Sequence, residues 1–215
     1  MSSDLFVTGT DTNVGKTLLS ALLVAALKRK YWKPIQTGSC EGTDRETVIK
    51  LAGGEAYQES YIFDPPVSPH IAAKEQGVTI ELQKIRRPAS SDPIIIEGAG
   101  GVFVPINDQE FMLDLMRHLG SPIILAARTA LGTINHTLLS VFAIRQAKLP
   151  LLGVVMIGKE NAENRAAIEK YGRVPVIGSI PWLDTIDRRI LVETFNQNFD
   201  RKLATDYTDY TDLNP

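Results

Sequence analysis

Residues 5–17 read LFVTGTDTNVGKT, and the order of residue types in that stretch decides the fold. A short apolar run ends at Gly9, a polar loop follows, and a Gly-Lys-Thr triplet opens a run in which Leu18, Leu22, Ala25 and Ala26 recur at helical spacing. Strand, glycine-containing turn and helix in that order make a phosphate-binding loop. Its backbone N–H groups converge on phosphate oxygens, and the helix start adds partial positive charge. Lys16 reaches the outer phosphates, and the Thr17 hydroxyl suits a hard cation such as Mg2+. One irregularity stands out. Counting back from Gly15, the first position of the usual pattern holds Thr10, and the glycine sits one residue earlier.

Outward from the loop, the same grammar repeats. PIIIE (93–97), PIILAA (122–127), LLGVVMI (151–157) and PVIGSI (175–180) are buried-strand runs, and YWKPIQ (31–36) reads as another. Helical patterns cover residues 17–30, 110–119, 133–148 and 161–171. Strands that are apolar throughout belong in a parallel sheet covered on both faces. The expectation is an α/β fold of the P-loop nucleotide-hydrolase type: a doubly wound, mostly parallel sheet of about six strands with helices on both faces. Its ligand crevice lies outside the strand carboxyl ends. No linker or repeat divides the chain before its last residues, so 1–203 reads as a single domain. The segment ATDYTDYTDLNP (204–215) lacks periodicity and reads as a tail.

Composition narrows the function classes. The 215 residues are 44% hydrophobic and 22% charged, an ordinary globular balance. A net charge of −2 gives no footprint for nucleic acid or an anionic membrane. Cys40 stands alone, and His70, His118 and His136 lack zinc-site spacing. No apolar run is long enough to span a bilayer, and the amino terminus does not resemble a secretory peptide, so a reducing, cytoplasmic setting is expected.

Three further positions carry chemistry. Glu97 in IIIEGAGG is a carboxylate at the carboxyl end of a buried strand, on the same sheet edge as the loop, and the small residues after it let a ligand approach the backbone. Lys33 in KPIQTG ends the second strand and converges with Lys16, which suits an acidic transition state. Asp44 reads equally well as a cation ligand or a helix N-cap. His70 reads as a packed or capping residue.

Taken together, GTDTNVGKT, KPIQTG, SPHIAA, EGAGG, LGTINH and IPWL resemble the dethiobiotin synthetase family in order and spacing, across about residues 5–185. The resemblance implies an ATP- and Mg2+-dependent cyclo-ligase of biotin synthesis, acting on 7,8-diaminopelargonate and CO2 or bicarbonate, and a homodimer. It implies nucleotide contacts from Asn13, Val14, Gly15, Lys16, Thr17 and Leu18, from Gly98, Ala99 and Gly100, and from Pro181, Trp182 and Leu183 around the purine. Thr17, Asp44 and Glu97 would hold Mg2+. Lys33, Thr37 and Thr12 would meet the substrate carbamate, with Lys16, Lys33 and Thr12 as the catalytic set. Gly132, Thr133, Ile134 and Asn135 would receive the substrate carboxylate from the neighbouring subunit.

Two positions depart from the family pattern. Ile157 stands where the family carries an adenine-reading Asn, and Asn13 where relatives often have Glu. Rival readings are weaker. A related amide-forming ligase would normally add a glutamine-hydrolysing domain, for which the chain has no room. A chromosome-partitioning switch usually has a second Lys early in the loop, and none lies between Gly9 and Gly15.

Overall fold

The structure is a computed structural model that describes residues 4–200; the segment read above as a tail lies outside the described residues. Strand β1 (Leu5–Gly9) is buried at all five positions, as expected of a strand with neighbours on both edges and helices on both faces. It pairs in parallel with β6 (Ile94–Gly101) and β7 (Ile123–Arg128). Outward from these lie β2 (Lys30–Trp32) and β4 (Ala56–Tyr57) on one side, and β8 (Leu151–Ile157) and β9 (Val176–Ile180) on the other. The seven strands run in the order β4-β2-β6-β1-β7-β8-β9, all pairs parallel. The chain leaves β1 to build one half of the sheet and returns through β6 to build the other. The winding therefore reverses about the central strands, where a doubly wound sheet opens its crevice.

Helices cover both faces. Leu19, Leu22 and Leu23 of α1 (Lys16–Leu27), Val48 and Ala52 of α2 (Asp44–Ala52), and Leu191 and Phe195 of α7 (Arg188–Asn198) pack on one. The other carries α3 (Pro69–Glu75), α4 (Met112–Leu119), α5 (Thr133–Gln146) and α6 (Ala162–Gly172).

The structure corrects three expectations. The single strand expected over 31–36 is two: β2 stays in the main sheet, and β3 (Ile35–Thr37) leaves it to pair with β5 (Tyr61–Phe63) in a separate two-stranded ribbon. Pro34 is the cause, since it has no N–H for the ladder; its carbonyl instead accepts from Ser60 and Tyr61. The strand expected to end at Glu97 runs on to Gly101, so Glu97 stands mid-strand opposite Val7 and the glycines after it lie within the strand. Asp44 is not a cap. Thr43 caps α2 in a reciprocal box with Glu46, and Asp44 is the first helical residue, its N–H held by Gln36 Oε1 at 3.1 Å.

Candidate active site

The glycine displaced by one residue is required where it stands. A Cβ on Gly9 would lie 2.7 Å from Val14 Cγ2 and 2.9 Å from the Asp11 carbonyl oxygen, because the loop folds back over the end of β1. Asn13 and Gly15 take left-handed backbone (φ 58° and 97°), which turns the loop and leads into α1. A Cβ on Gly15 would meet Ile157 Cδ1 at 2.8 Å. Ile157 therefore packs beneath the loop, in the cluster that also holds Leu18 and Leu183.

Lys16 is buried, and its Nζ donates to the Asp11 carbonyl at 2.8 Å, curling under its own loop. Burial, and next the charge of Lys33, lower its pKa to about 8. An ammonium in that state gains from an arriving phosphate.

Lys33, Thr17, Asp44 and Glu97 come from four separate segments of the chain and meet at one point. Thr17 Oγ1, in the first turn of α1, lies 2.9 Å from Asp44 Oδ1 and 3.0 Å from Glu97 Oε1. Lys33 Nζ, just past the end of β2, lies 2.5 Å from Asp44 Oδ2 and 3.1 Å from Glu97 Oε1. Glu97 is completely buried, and the Asp44 side chain is 29% exposed. Burial works against the charge on Lys33, but Glu97 and Asp44 outweigh it and raise its pKa. Burial likewise opposes ionisation of Asp44, and the Lys33 charge with hydrogen bonds from Lys33 and Thr17 outweighs it, so its pKa is lowered.

Sequence reading missed Tyr31. Its buried hydroxyl donates to Glu97 Oε2 at 3.0 Å, and burial followed by the Glu97 charge raises its pKa well above the usual phenol value.

The donor set suits Mg2+. Three oxygens converge, from one hydroxyl and two carboxylates, and among the described residues no cluster of three His, Cys, Asp or Glu side chains is assembled to hold a metal unaided. A cation here needs phosphate and water for its remaining ligands, as Mg2+ characteristically does.

The other expected positions lie around this centre. Thr12 is exposed, with its N–H on Asp11 Oδ1 at 2.7 Å, and Thr37 is half-buried at the end of β3. Gly98 and Ala99 are buried within β6, while Gly100 takes a left-handed φ of 64°. Pro181, Trp182 and Leu183 follow β9, with Trp182 83% exposed. Gly132 precedes α5 with φ 92°, and Thr133, Ile134 and Asn135 form its first turn. Between that helix and the loop lies a cavity of about 370 Å³, bounded by Thr10, Asp11, Gly101, Phe103, His136 and Leu139 among others. Sequence reading did not single out Phe103 or His136, although His136 closes the quoted LGTINH segment.

Residues 3–189 match the family described as an AAA domain. An ATP-dependent dethiobiotin synthetase of Rhodopseudomonas palustris is 44% identical over 202 residues, covering 93% of this chain and 95% of that protein. The ATP-dependent dethiobiotin synthetase of Paramagnetospirillum magneticum is 48% identical over 183 residues, covering 85% and 89%.

The chain belongs to the dethiobiotin synthetase family.

A bifunctional biotin biosynthesis protein of Bordetella avium is 48% identical over 187 residues, and there the match spans 85% of this chain and 40% of the longer protein. Likeness among solved structures is more distant. A ParA family ATPase from Chlorobium tepidum superposes with TM-score 0.57 at 14% identity, covering 85% of each chain. The septum site-determining protein MinD complexed with Mg-ADP, from Pyrococcus horikoshii, gives 0.54 at 15%, covering 90% of this chain and 86% of that one. At those identities the likeness shows the P-loop fold. The dethiobiotin synthetase assignment rests on the sequence relatives.

Proposed function

We propose that this protein is an ATP- and Mg2+-dependent dethiobiotin synthetase, closing the ureido ring on 7,8-diaminopelargonate with CO2. The observation that carries the reading, beside its family membership, is a second buried ammonium, Lys33, set beside the phosphate loop and against the two carboxylates next to Thr17.

One substrate amine, in its neutral form, adds to CO2; an N–C bond forms and a proton is released. Lys33 favours the neutral amine by like-charge repulsion and stabilises the carbamate by attraction, with Thr37 and Thr12 as hydroxyl donors to the same group. A carbamate oxygen then attacks the γ-phosphorus and ADP leaves, while Lys16 and Lys33 offset the charge on the transferring group. The second amine attacks the carbonyl carbon of the mixed anhydride, the ring closes and phosphate departs. No protein nucleophile takes part. Mg2+, held by Thr17, Asp44 and Glu97, would supply further charge neutralisation on the phosphates.

The same reading assigns the substrate carboxylate to the N–H groups of Gly132–Asn135, contributed by the second subunit of a homodimer. Exposed Leu131, Leu139, Phe142 and Phe103 support a partner on that face. The protein is read as a single cytoplasmic domain; among the described residues no helix is long and apolar enough to cross a membrane.

The test is phosphate release from Mg-ATP with dethiobiotin followed by mass spectrometry. Release must depend on both diaminopelargonate and bicarbonate. Release that ignores either one refutes the reading.

A further inference from the structure

The carboxyl group of Glu97 is divided between two sets of donors. Oε1 faces the phosphate loop, with Thr17 Oγ1 at 3.0 Å and Lys33 Nζ at 3.1 Å. Oε2 accepts the Tyr31 hydroxyl at 3.0 Å from the side of the core. Tyr31 and Glu97 are both fully buried, on the adjacent strands β2 and β6, where Tyr31 pairs with Ile95. A phenol donor on Oε2 satisfies that oxygen and fixes the rotation of the carboxyl about its last bond. Glu97 then has one oxygen left to offer toward Thr17 and Asp44.

We propose that Tyr31 is a positioning residue that restricts Glu97 to a single available oxygen and thereby biases the site toward Mg2+ over Ca2+. The proposal rests on the reading of Thr17, Asp44 and Glu97 as the Mg2+ ligands. The discrimination follows from ligand geometry. Mg2+ demands a tight octahedron, whereas the larger Ca2+ takes more oxygens and accepts both oxygens of one carboxylate. A Glu97 free to turn both oxygens inward favours the larger ion. Groups that orient a ligand from behind typically change metal affinity by roughly 10–100-fold.

The experiment is calorimetric titration of the full chain with ADP in three forms: metal-free in chelator, with Mg2+ and with Ca2+. Tyr31→Phe removes only the hydroxyl; if it does not fold, Tyr31→Leu fills the same cluster beside Val48 and Ala52 without a donor. The expected result is that the ratio of Mg-ADP to Ca-ADP affinity falls by roughly tenfold or more, with metal-free ADP bound as in the parent protein. In a Glu97→Gln background the same change at Tyr31 should leave the ratio alone. A ratio unchanged by Tyr31→Phe, or one that still moves in the Glu97→Gln background, overturns the proposal. Glu97→Gln alone tests the underlying reading separately: if Mg2+ enhances ADP binding as much as in the parent protein, Glu97 is no ligand and both ideas fall.

Discussion

Replacing Lys33 by Met keeps most of the side-chain stem and removes the ammonium that lies 2.5 Å from Asp44 Oδ2 and 3.1 Å from Glu97 Oε1. Glu97, with no exposed side-chain area, is left with the hydroxyls of Thr17 and Tyr31. Breaking a buried ion pair by deleting one partner costs about 3–5 kcal/mol. Asp44 is 29% exposed and can recover some hydration, which places the expected loss at the lower end, about 3 kcal/mol, in metal-free protein. Turnover should drop by roughly 10²-fold or more, while ADP binding persists through the loop.

The pH dependence has a definite sign. In the parent protein the raised Lys33 contributes stability that is complete below its unfolded pKa and lost as pH climbs through its folded one. The lowered Asp44 contributes stability that is present above its unfolded pKa and lost as pH falls through its folded one. Both contributions are in force near neutrality. Without Lys33, Asp44 loses the largest of the influences that hold its pKa down, with the Thr17 hydrogen bond and the Lys16 charge remaining against burial, so its pKa moves up from the parent position. The folded variant then gives up less stability on protonation than the parent protein, and the stability gap narrows as pH falls through the carboxylate range, from about pH 5 to about pH 3. Urea unfolding in chelator across that range, with denaturant slopes checked for equality, measures the gap. A gap below about 1 kcal/mol, or one that does not narrow on acidification, would refute the role given to Lys33.

Gly15→Ala places a Cβ 2.8 Å from Ile157 Cδ1 at φ 97°, so ADP affinity should fall at least roughly tenfold with the fold intact. Ile157→Ala added to it should restore only part, since the backbone strain remains; wild-type ADP affinity in Gly15→Ala would contradict the close packing of loop on strand. If Gly132–Asn135 serves the neighbouring subunit, mixing Lys16→Ala chains with Asn135→Ala chains should restore some activity, because one site of each mixed dimer carries neither lesion. Absence of recovery after verified subunit exchange argues for sites built within one chain. With the Ile157 side chain turned under the loop and carrying no amide, ATP, GTP, CTP and UTP should differ by at most roughly 100-fold in kcat/KM. A thousandfold preference for ATP would mean that another group reads the base.

Local pattern carried the sheet. The runs at β1, β7, β8 and β9 are apolar at nearly every position because both faces are covered, and that composition is written in the chain itself. Two features were present in the sequence but outweighed. Pro34 cannot donate to a ladder, yet its neighbours Tyr31, Trp32 and Ile35 read as one strand. Thr43 and Glu46 have capping-box spacing, yet α2 is polar enough to pass as loop. Tyr31 belongs to a different class. Its partner Glu97 is 66 residues away, and the contact exists only because β2 is laid beside β6. No single-chain pattern encodes that adjacency. Lys16, Thr17 and Lys33 were legible because their spacing follows the loop and the strand end; their meeting with Asp44 and Glu97 is a product of the topology.

The central charges bear on how a chain of net charge −2 can hold a polyanion. Two ammonium groups, Lys16 and Lys33, face two carboxylates, Asp44 and Glu97, so the centre is close to neutral by itself. Lys33 is committed to the carboxylates, and Lys16 to a backbone carbonyl of its own loop. A polyphosphate arriving alone would meet two anions that the lysines have neutralised but not removed. On the proposed reading, a polyphosphate arriving with a divalent cation would bring the charge those carboxylates take up, and Lys33 would become available to an anionic substrate group. The ParA and MinD structures share the fold; on that reading, the feature that would tie this site to an anionic co-substrate is Lys33, just past the end of β2, held in reserve by the same two carboxylates that would bind the metal.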